Sequence, residues 1–198
     1  MDKTKTFIFF GIAGAGKGTQ MELLQNYITK LDGKEFVYAG TGAGFRKLVG
    51  SGLHVSKLIQ TTLDEGRLMP DFFATSIVSD ILINELDENK HLILDGYPRT
   101  LRQANEFIDM MSFFVRGEVD VIYIEISKEE SLKRNLLRGR SDDTEEGLSK
   151  RYDEYVANVL PTIEYMEKQK GYTFHKVNGE HPIEEVHQAI ISSLNIKS

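Results

Sequence analysis

The residues Gly11-Ile12-Ala13-Gly14-Ala15-Gly16-Lys17 stand directly after a short apolar run, Thr6-Phe7-Ile8-Phe9-Phe10, and directly before a stretch with helical periodicity. The run reads as a buried strand that ends in a glycine cluster. The glycines let the backbone curl with its N–H groups pointing inward, and the helix that follows adds the positive end of its dipole. Lys17 adds a point charge. G-x-x-x-x-G-K between a strand and a helix is the arrangement that cradles phosphate. The alternative is a strand-to-helix turn without a ligand; the lysine and the flanking elements weigh against it. The hydroxyl expected just after the lysine is displaced by one place, since Gly18 follows and Thr19 carries it.

The rest of the chain alternates in the same way. Short apolar strands are predicted at Phe36–Tyr38, His91–Leu94, Val119–Ile126 and Tyr172–Val177. Helices are predicted over Gln20–Lys30, Leu53–Glu65 and Asp71–Leu86, with Gly66 dividing the last two. Ser127 with Glu130 reads as a capping box opening a further helix. Leu148, Tyr152, Tyr155, Val156 and Val159 form one stripe, and Pro161 is expected to kink or interrupt that helix. Pro182 sits where a last helix begins. Strands alternating with helices imply a parallel sheet covered on both faces, with ligands beyond the C-terminal ends of its strands. The glycine cluster and Asp95-Gly96 both fall there.

Composition narrows the partners. The 198 residues carry a net charge of -6, which disfavours general nucleic-acid binding. The absence of cysteine excludes disulfides and cysteine-ligated metal. Phe7–Phe10 is too short for a signal peptide or a membrane span, so a cytoplasmic protein with no nucleic-acid and no membrane partner is expected, acting as a monomer.

Gly14-Ala15-Gly16-Lys17-Gly18-Thr19-Gln20 resembles the phosphate loop of the adenylate kinases, in which GKGTQ is characteristic. Ala13 stands where that family usually has proline. His91 to Gln103, His-Leu-Ile-Leu-Asp-Gly-Tyr-Pro-Arg-Thr-Leu-Arg-Gln, is similar to the family's LDGFPRTxxQ segment. By itself Asp95-Gly96-Tyr97-Pro98 is also a plain turn. Gly40-Thr41-Gly42-Ala43-Gly44-Phe45-Arg46 resembles STGDLLR, with Ala43 in place of the aspartate, and Glu65-Gly66-Arg67-Leu68-Met69 resembles AGKLV. Arg140-Ser141-Asp142-Asp143 resembles RxDD, and Lys150-Arg151-Tyr152-Asp153-Glu154-Tyr155 resembles KRLxxY.

The resemblance implies a three-layer α/β/α phosphate-loop fold with a five-stranded parallel sheet. It implies a small helical monophosphate-binding flap over about residues 40–70 and a lid near 139–142. It implies phosphoryl transfer from MgATP to AMP giving two ADP. ATP would be bound by Gly14, Ala15, Gly16, Lys17, Gly18, Thr19, Arg134, Arg138 and His181. AMP would be bound by Thr41, Arg46, Arg67, Leu68, Met69, Gly96, Tyr97, Pro98, Arg99, Gln103, Arg140 and Arg151. Lys17, Arg99, Arg134, Arg140 and Arg151 would carry the chemistry, and Thr19 and Asp95 would hold Mg2+, through water. Thr41 and Gln103 favour AMP over UMP or CMP; a kinase for another monophosphate and a non-catalytic nucleotide-binding module are the alternatives.

Residue chemistry agrees with the arginine assignment. Of nine arginines, six (Arg46, Arg99, Arg134, Arg138, Arg140 and Arg151) fall where the resemblance places phosphate, and a planar guanidinium binds two phosphate oxygens at once. Arg134 and Arg138 are four apart on one helix, about 200° around from Leu132 and Leu136. They form either a phosphate-binding pair or a solvated basic face. Asp142 and Asp143 also suit a helix start on dipole grounds alone.

The lid departs from the family pattern, because only Gly139 separates Arg138 from Arg140. A minimal lid is expected, which covers ATP less completely and suppresses wasteful hydrolysis less well. ATP turnover without any acceptor should therefore exceed that of a longer-lidded relative several-fold. Phosphate-release assays on the two proteins compare the rates, and equal rates would contradict the expectation.

Overall fold

The computed structural model describes residues 3–138 and 144–196. Five strands form its sheet: β1 (Thr6–Phe10), β2 (Phe36–Gly40), β3 (His91–Asp95), β4 (Val119–Glu125) and β5 (Tyr172–Asn178). All pairings are parallel, in the order β2-β3-β1-β4-β5. The alternation of side chains across a strand explains the layers. From β1, Ile8 and Phe10 enter one core and Phe7 and Phe9 the other. The first core is completed by α2 (Thr41–Val49), α3 (His54–Asp64), α4 (Asp71–Glu85), α5 (Leu101–Phe113) and α8 (Leu160–Glu167). The second is closed by α1 (Lys17–Asp32) and α9 (Ile183–Ser193). The described residues thus form the expected three-layer α/β/α fold.

The strand order creates the crevice. From β1 the chain passes through α1 on one face, and from β3 it passes through α5 on the other. Where adjacent strands send their connections to opposite faces, a cleft opens beyond their C-terminal ends. Phe9 pairs with Asp95 in register, so the glycine loop and the Asp95-Gly96 turn leave the sheet side by side.

Several local expectations change in the folded chain. Helix α1 begins at Lys17 rather than Gln20, because Gly16 takes a left-handed conformation (φ 88°) as its N-cap. Helix α5 went unmarked, although Thr100-x-x-Gln103 signals it; the Thr100 hydroxyl accepts from the Gln103 N–H at 3.2 Å. The capping box of α6 (Lys128–Arg138) forms only half as expected. Ser127 Oγ accepts from the Glu130 N–H at 3.3 Å, but the Ser127 N–H donates to Glu180 at 2.8 Å. Glu130 instead pairs with Arg134 at 2.7 Å. The inward face of α6 is polar: Ser131 and Asn135 are buried, while Leu136 and Leu137 are exposed.

The interruption expected at Pro161 takes the form of a widened turn just before it. Helix α7 (Glu145–Glu154) continues into α8 through one widened π-turn, Tyr155–Val159, in which the Leu160 N–H donates to the Tyr155 carbonyl. The wider turn falls just before the residue that lacks an N–H. The same turn rotates Val156 outward, leaving Leu148 and Val159 buried.

His91 is fully buried. Its Nδ1 accepts from the Lys5 N–H at 2.9 Å, so the proton resides on Nε2, which donates to Asp32 at 3.0 Å. Burial holds its pKa below the ordinary value, aided by Lys34 and Arg116 and opposed by Asp32. The folded state therefore binds fewer protons at this site than the unfolded chain. Its stability contribution is complete above about pH 6.5 and is lost as pH falls through the lower folded-state value. Urea unfolding between pH 7 and 5 should show declining stability, and His91→Gln should flatten that decline. An unchanged slope in the variant would remove His91 as its source.

Candidate active site

The glycine loop is braced from below by the polar face of α6. The Ala13 carbonyl accepts from Ser131 Oγ at 2.8 Å and the Gly14 carbonyl from Arg134 Nη1 at 3.4 Å. Asn135, fully buried, donates to the Ser131 carbonyl at 2.7 Å. At Gly14 the backbone is left-handed (φ 81°), and a Cβ there would stand 2.8 Å from Asn135 Nδ2. Glycine lets loop and helix approach this closely. Ser131 and Asn135 were not singled out in the sequence. Their signal is a pair of polar residues four apart on a helix whose leucines face outward.

Lys17 lies across the loop. Its Nζ donates to the Gly11 carbonyl at 2.7 Å and the Ile12 carbonyl at 3.1 Å. Its pKa falls to about 8: desolvation is the largest cause, Arg99 and Arg138 push the same way, and Asp95 opposes them. Arg99 is depressed as well, through desolvation and the nearby charge of Arg151. Lys17 on α1, Arg99 in the loop after β3, Arg138 on α6 and Arg151 on α7 thus converge on the crevice beyond β1 and β3. Cations at such range raise one another's energy unless an anion lies between them.

On the other side of the crevice, two donors meet on the Gly96 carbonyl: Thr41 Oγ1 at 3.1 Å and Arg99 Nε at 2.9 Å. Asp95 accepts from the Tyr38 hydroxyl at 2.9 Å. The Gln103 amide is engaged at both ends, accepting from the Arg99 N–H at 2.8 Å and donating to Asp71 at 2.9 Å. Asp71 also accepts from Thr100 at 2.9 Å. Tyr97 and Met69 are packed into the first core, and Tyr97 and Pro98 are joined by a cis peptide.

The remaining residues are more dispersed. Ala15 is buried in the loop, whereas Gly16, Gly18 and Thr19 are exposed at the start of α1. Arg46 is exposed on α2, with its charge reaching Tyr38. Leu68 is partly buried. Arg67 pairs with Glu65 at 2.6 Å, and both line a cavity of about 310 Å³ against Lys150 and Asp153 of α7. His181 is exposed, 3.6 Å from Glu185 and 3.4 Å from Asn178. Arg140, Asp142, Asp143 and the expected lid at 139–142 lie outside the described residues.

A magnesium ion suits this donor set. Asp95 offers hard oxygen atoms within electrostatic reach of Lys17, and Thr19 offers a hydroxyl, exposed in the first turn of α1. Among the described residues no group of three or more acidic or imidazole side chains is gathered to hold a metal. One carboxylate and one hydroxyl match an ion that keeps several waters and takes its other ligands from substrate phosphates.

A family model described as "Adenylate kinase" matches residues 9–171. The chain belongs to the adenylate kinase family. It is 35% identical to the adenylate kinase of Prochlorococcus marinus (strain MIT 9301), over 81% of this chain and 84% of the relative. It is 31% identical to that of Flavobacterium psychrophilum, over 95% and 97%, and 30% identical to adenylate kinase isoenzyme 1 of Bos taurus, over 98% and 96%. As a member of the adenylate kinase family it is an ATP-binding phosphotransferase acting on nucleoside monophosphates. Among its described residues, no helix is long and apolar enough to cross a membrane.

The lowered pKa of Lys17 carries a sign for binding. Below about pH 8 the lysine is charged and ready for phosphate; as pH rises through about 8 the ligand-free protein loses that proton. A bound anion raises the pKa again, so ATP binding should take up protons near pH 8 and weaken as pH rises from 7 to 9. Calorimetry in buffers of different ionisation enthalpy measures both effects. Lys17→Arg, whose side chain stays charged, should remove them.

Proposed function

We propose that this protein transfers the terminal phosphoryl group of MgATP to AMP, giving two ADP. The observation that carries the proposal is the in-register exit of the glycine loop and the Asp95–Gln103 segment from β1 and β3. That register brings Lys17, Asp95 and Arg99 within one another's electrostatic range.

ATP lies along Gly14–Thr19, with backbone N–H groups, the α1 dipole and Lys17 on its phosphates. Arg134 and Arg138 approach from α6, and the segment carrying His181 borders its base. AMP lies between the flap of about residues 40–70 and Gly96–Gln103. Arg46 and Arg99 hold its phosphate, while Thr41 and the Arg67–Met69 turn border its base. Gln103 exchanges its Asp71 contact for the adenine edge, which offers one acceptor and one donor to its amide. Arg151 and Arg140 bridge the two nucleotides' phosphates.

An oxygen of the AMP phosphate attacks the γ-phosphorus in line, and the bond from that phosphorus to the β-bridging oxygen breaks. The first ADP carries the transferred group, and the second is the leaving group. The nucleophile is already ionised, so no general base is required. The protein's work is alignment and neutralisation of charge spread over the transferring oxygens. Thr19 and Asp95 would hold the magnesium, which adds positive charge on the phosphates.

A coupled assay of ADP formation from ATP with AMP, UMP, CMP and dAMP tests the proposal. AMP should lead UMP and CMP by at least about tenfold in kcat/KM, a difference one or two base-edge hydrogen bonds supply, whereas dAMP, which keeps the adenine edge, should lie closer to AMP. Lys17→Met should lower kcat by about 10²–10³-fold, as expected when a positioned donor to developing charge is removed. ATP binding with no transfer to any monophosphate would instead mark a non-catalytic nucleotide-binding module.

A further inference from the structure

Tyr38 lies near the C-terminal end of β2 with 42% of its surface exposed, beside the same crevice. No motif of the sequence singled it out. Its hydroxyl donates to Asp95 Oδ2 at 2.9 Å. The register explains the reach. Gly40 is paired with Asp95 and Tyr38 with Ile93, so Tyr38 and Asp95 are diagonal neighbours across the β2–β3 ladder. Residues at such diagonals interact when one side chain is long and aromatic.

Gly40 makes this geometry available. It shares a strand face with Tyr38, two residues away. A Cβ at Gly40 would stand 2.7 Å from both Cζ and the hydroxyl oxygen of Tyr38, and closer still to Cε1. The tyrosine ring therefore leans along the strand through the space that a side chain at residue 40 would fill. A glycine inside a strand costs stability and marks a close approach; here the approaching group is the ring that reaches Asp95. With alanine at position 43, helix α2 (TGAGFRKLV) contributes no carboxylate of its own to this side of the crevice.

We propose that Tyr38 is a positioning residue for phosphoryl transfer. Its hydroxyl fixes the orientation of the Asp95 carboxylate, and so supports the magnesium–nucleotide complex, while Gly40 provides the room. This rests on the assignment of Asp95 to the metal under the proposed function. A carboxylate free to rotate about its terminal torsion presents its oxygens to metal-bound water in many orientations. One charge-assisted hydrogen bond removes most of that freedom without touching substrate.

The test separates binding from turnover. Calorimetry of a non-hydrolysable ATP analogue, with and without Mg2+, gives the affinity increment that the metal adds. In Tyr38→Phe the metal-free affinity should be unchanged and the increment should fall about three- to tenfold, the net range for a single ordinary hydrogen bond. The Mg2+ concentration for half-maximal kcat should rise correspondingly. The Tm of the free protein should stay within about 2 °C, since the exposed hydroxyl contributes little to folding. Gly40→Ala should reproduce the reduced increment by displacing the ring, and the double variant should be no worse than either single one. Asp95→Asn calibrates the assay. If it removes the increment while Tyr38→Phe leaves it intact, the positioning role is overturned and the metal assignment stands. If Asp95→Asn itself leaves the increment intact, the metal assignment is overturned and the role of Tyr38 with it.

Discussion

The pairing of β1 with β3 is the contact on which the site depends. β1 is buried on both faces and hydrogen-bonded along both edges, to β3 and to β4. Phe7 and Phe9 anchor it to one layer and Ile8 and Phe10 to the other. A slip of two residues along β3 would preserve the facing of the side chains, yet it would carry Asp95 and Arg99 about 6–7 Å from Lys17. Two loops far apart in sequence act as one site because the central strand cannot shift.

The second constraint is electrostatic. The protein is acidic overall, but Lys17, Arg99, Arg138 and Arg151 are brought toward one crevice, where Lys17 and Arg99 are both depressed. Desolvation of Lys17 and Arg99, together with their mutual repulsion, favours a polyanion beside them, and most of all the charge spread that accompanies phosphoryl transfer. Asp95 offsets part of the repulsion, and Tyr38 and Gly40 connect that carboxylate to the edge of the sheet.

Motif and strand positions were readable because they follow from local pattern. The G-x-x-x-x-G-K run, the five apolar segments and the Asp95–Gln103 segment are where periodicity and turn chemistry put them. The orientation of α6 was not readable in that way. The helix turns Ser131 and Asn135 inward, because its neighbour is a loop of backbone carbonyls rather than an apolar sheet face. The same limit applies to Pro161. Local rules predict a kink or an interruption there, and in the structure it takes the form of a single widened turn that joins α7 to α8.

From its sequence alone the chain was determined to be an alternating α/β protein with a phosphate loop, arginines at the positions assigned to phosphate and a family resemblance spanning nearly its full length. Those properties reside in residue types and short spacings, which local physics constrains directly. The tertiary structure decided which groups meet: Tyr38 with Asp95, Thr41 and Arg99 on one carbonyl, Gln103 with Asp71, and Ser131 beneath Ala13. These contacts join residues from 3 to 118 positions apart. Strand register and helix rotation select among such pairs, and both are set by burial over the whole sheet rather than by any one segment.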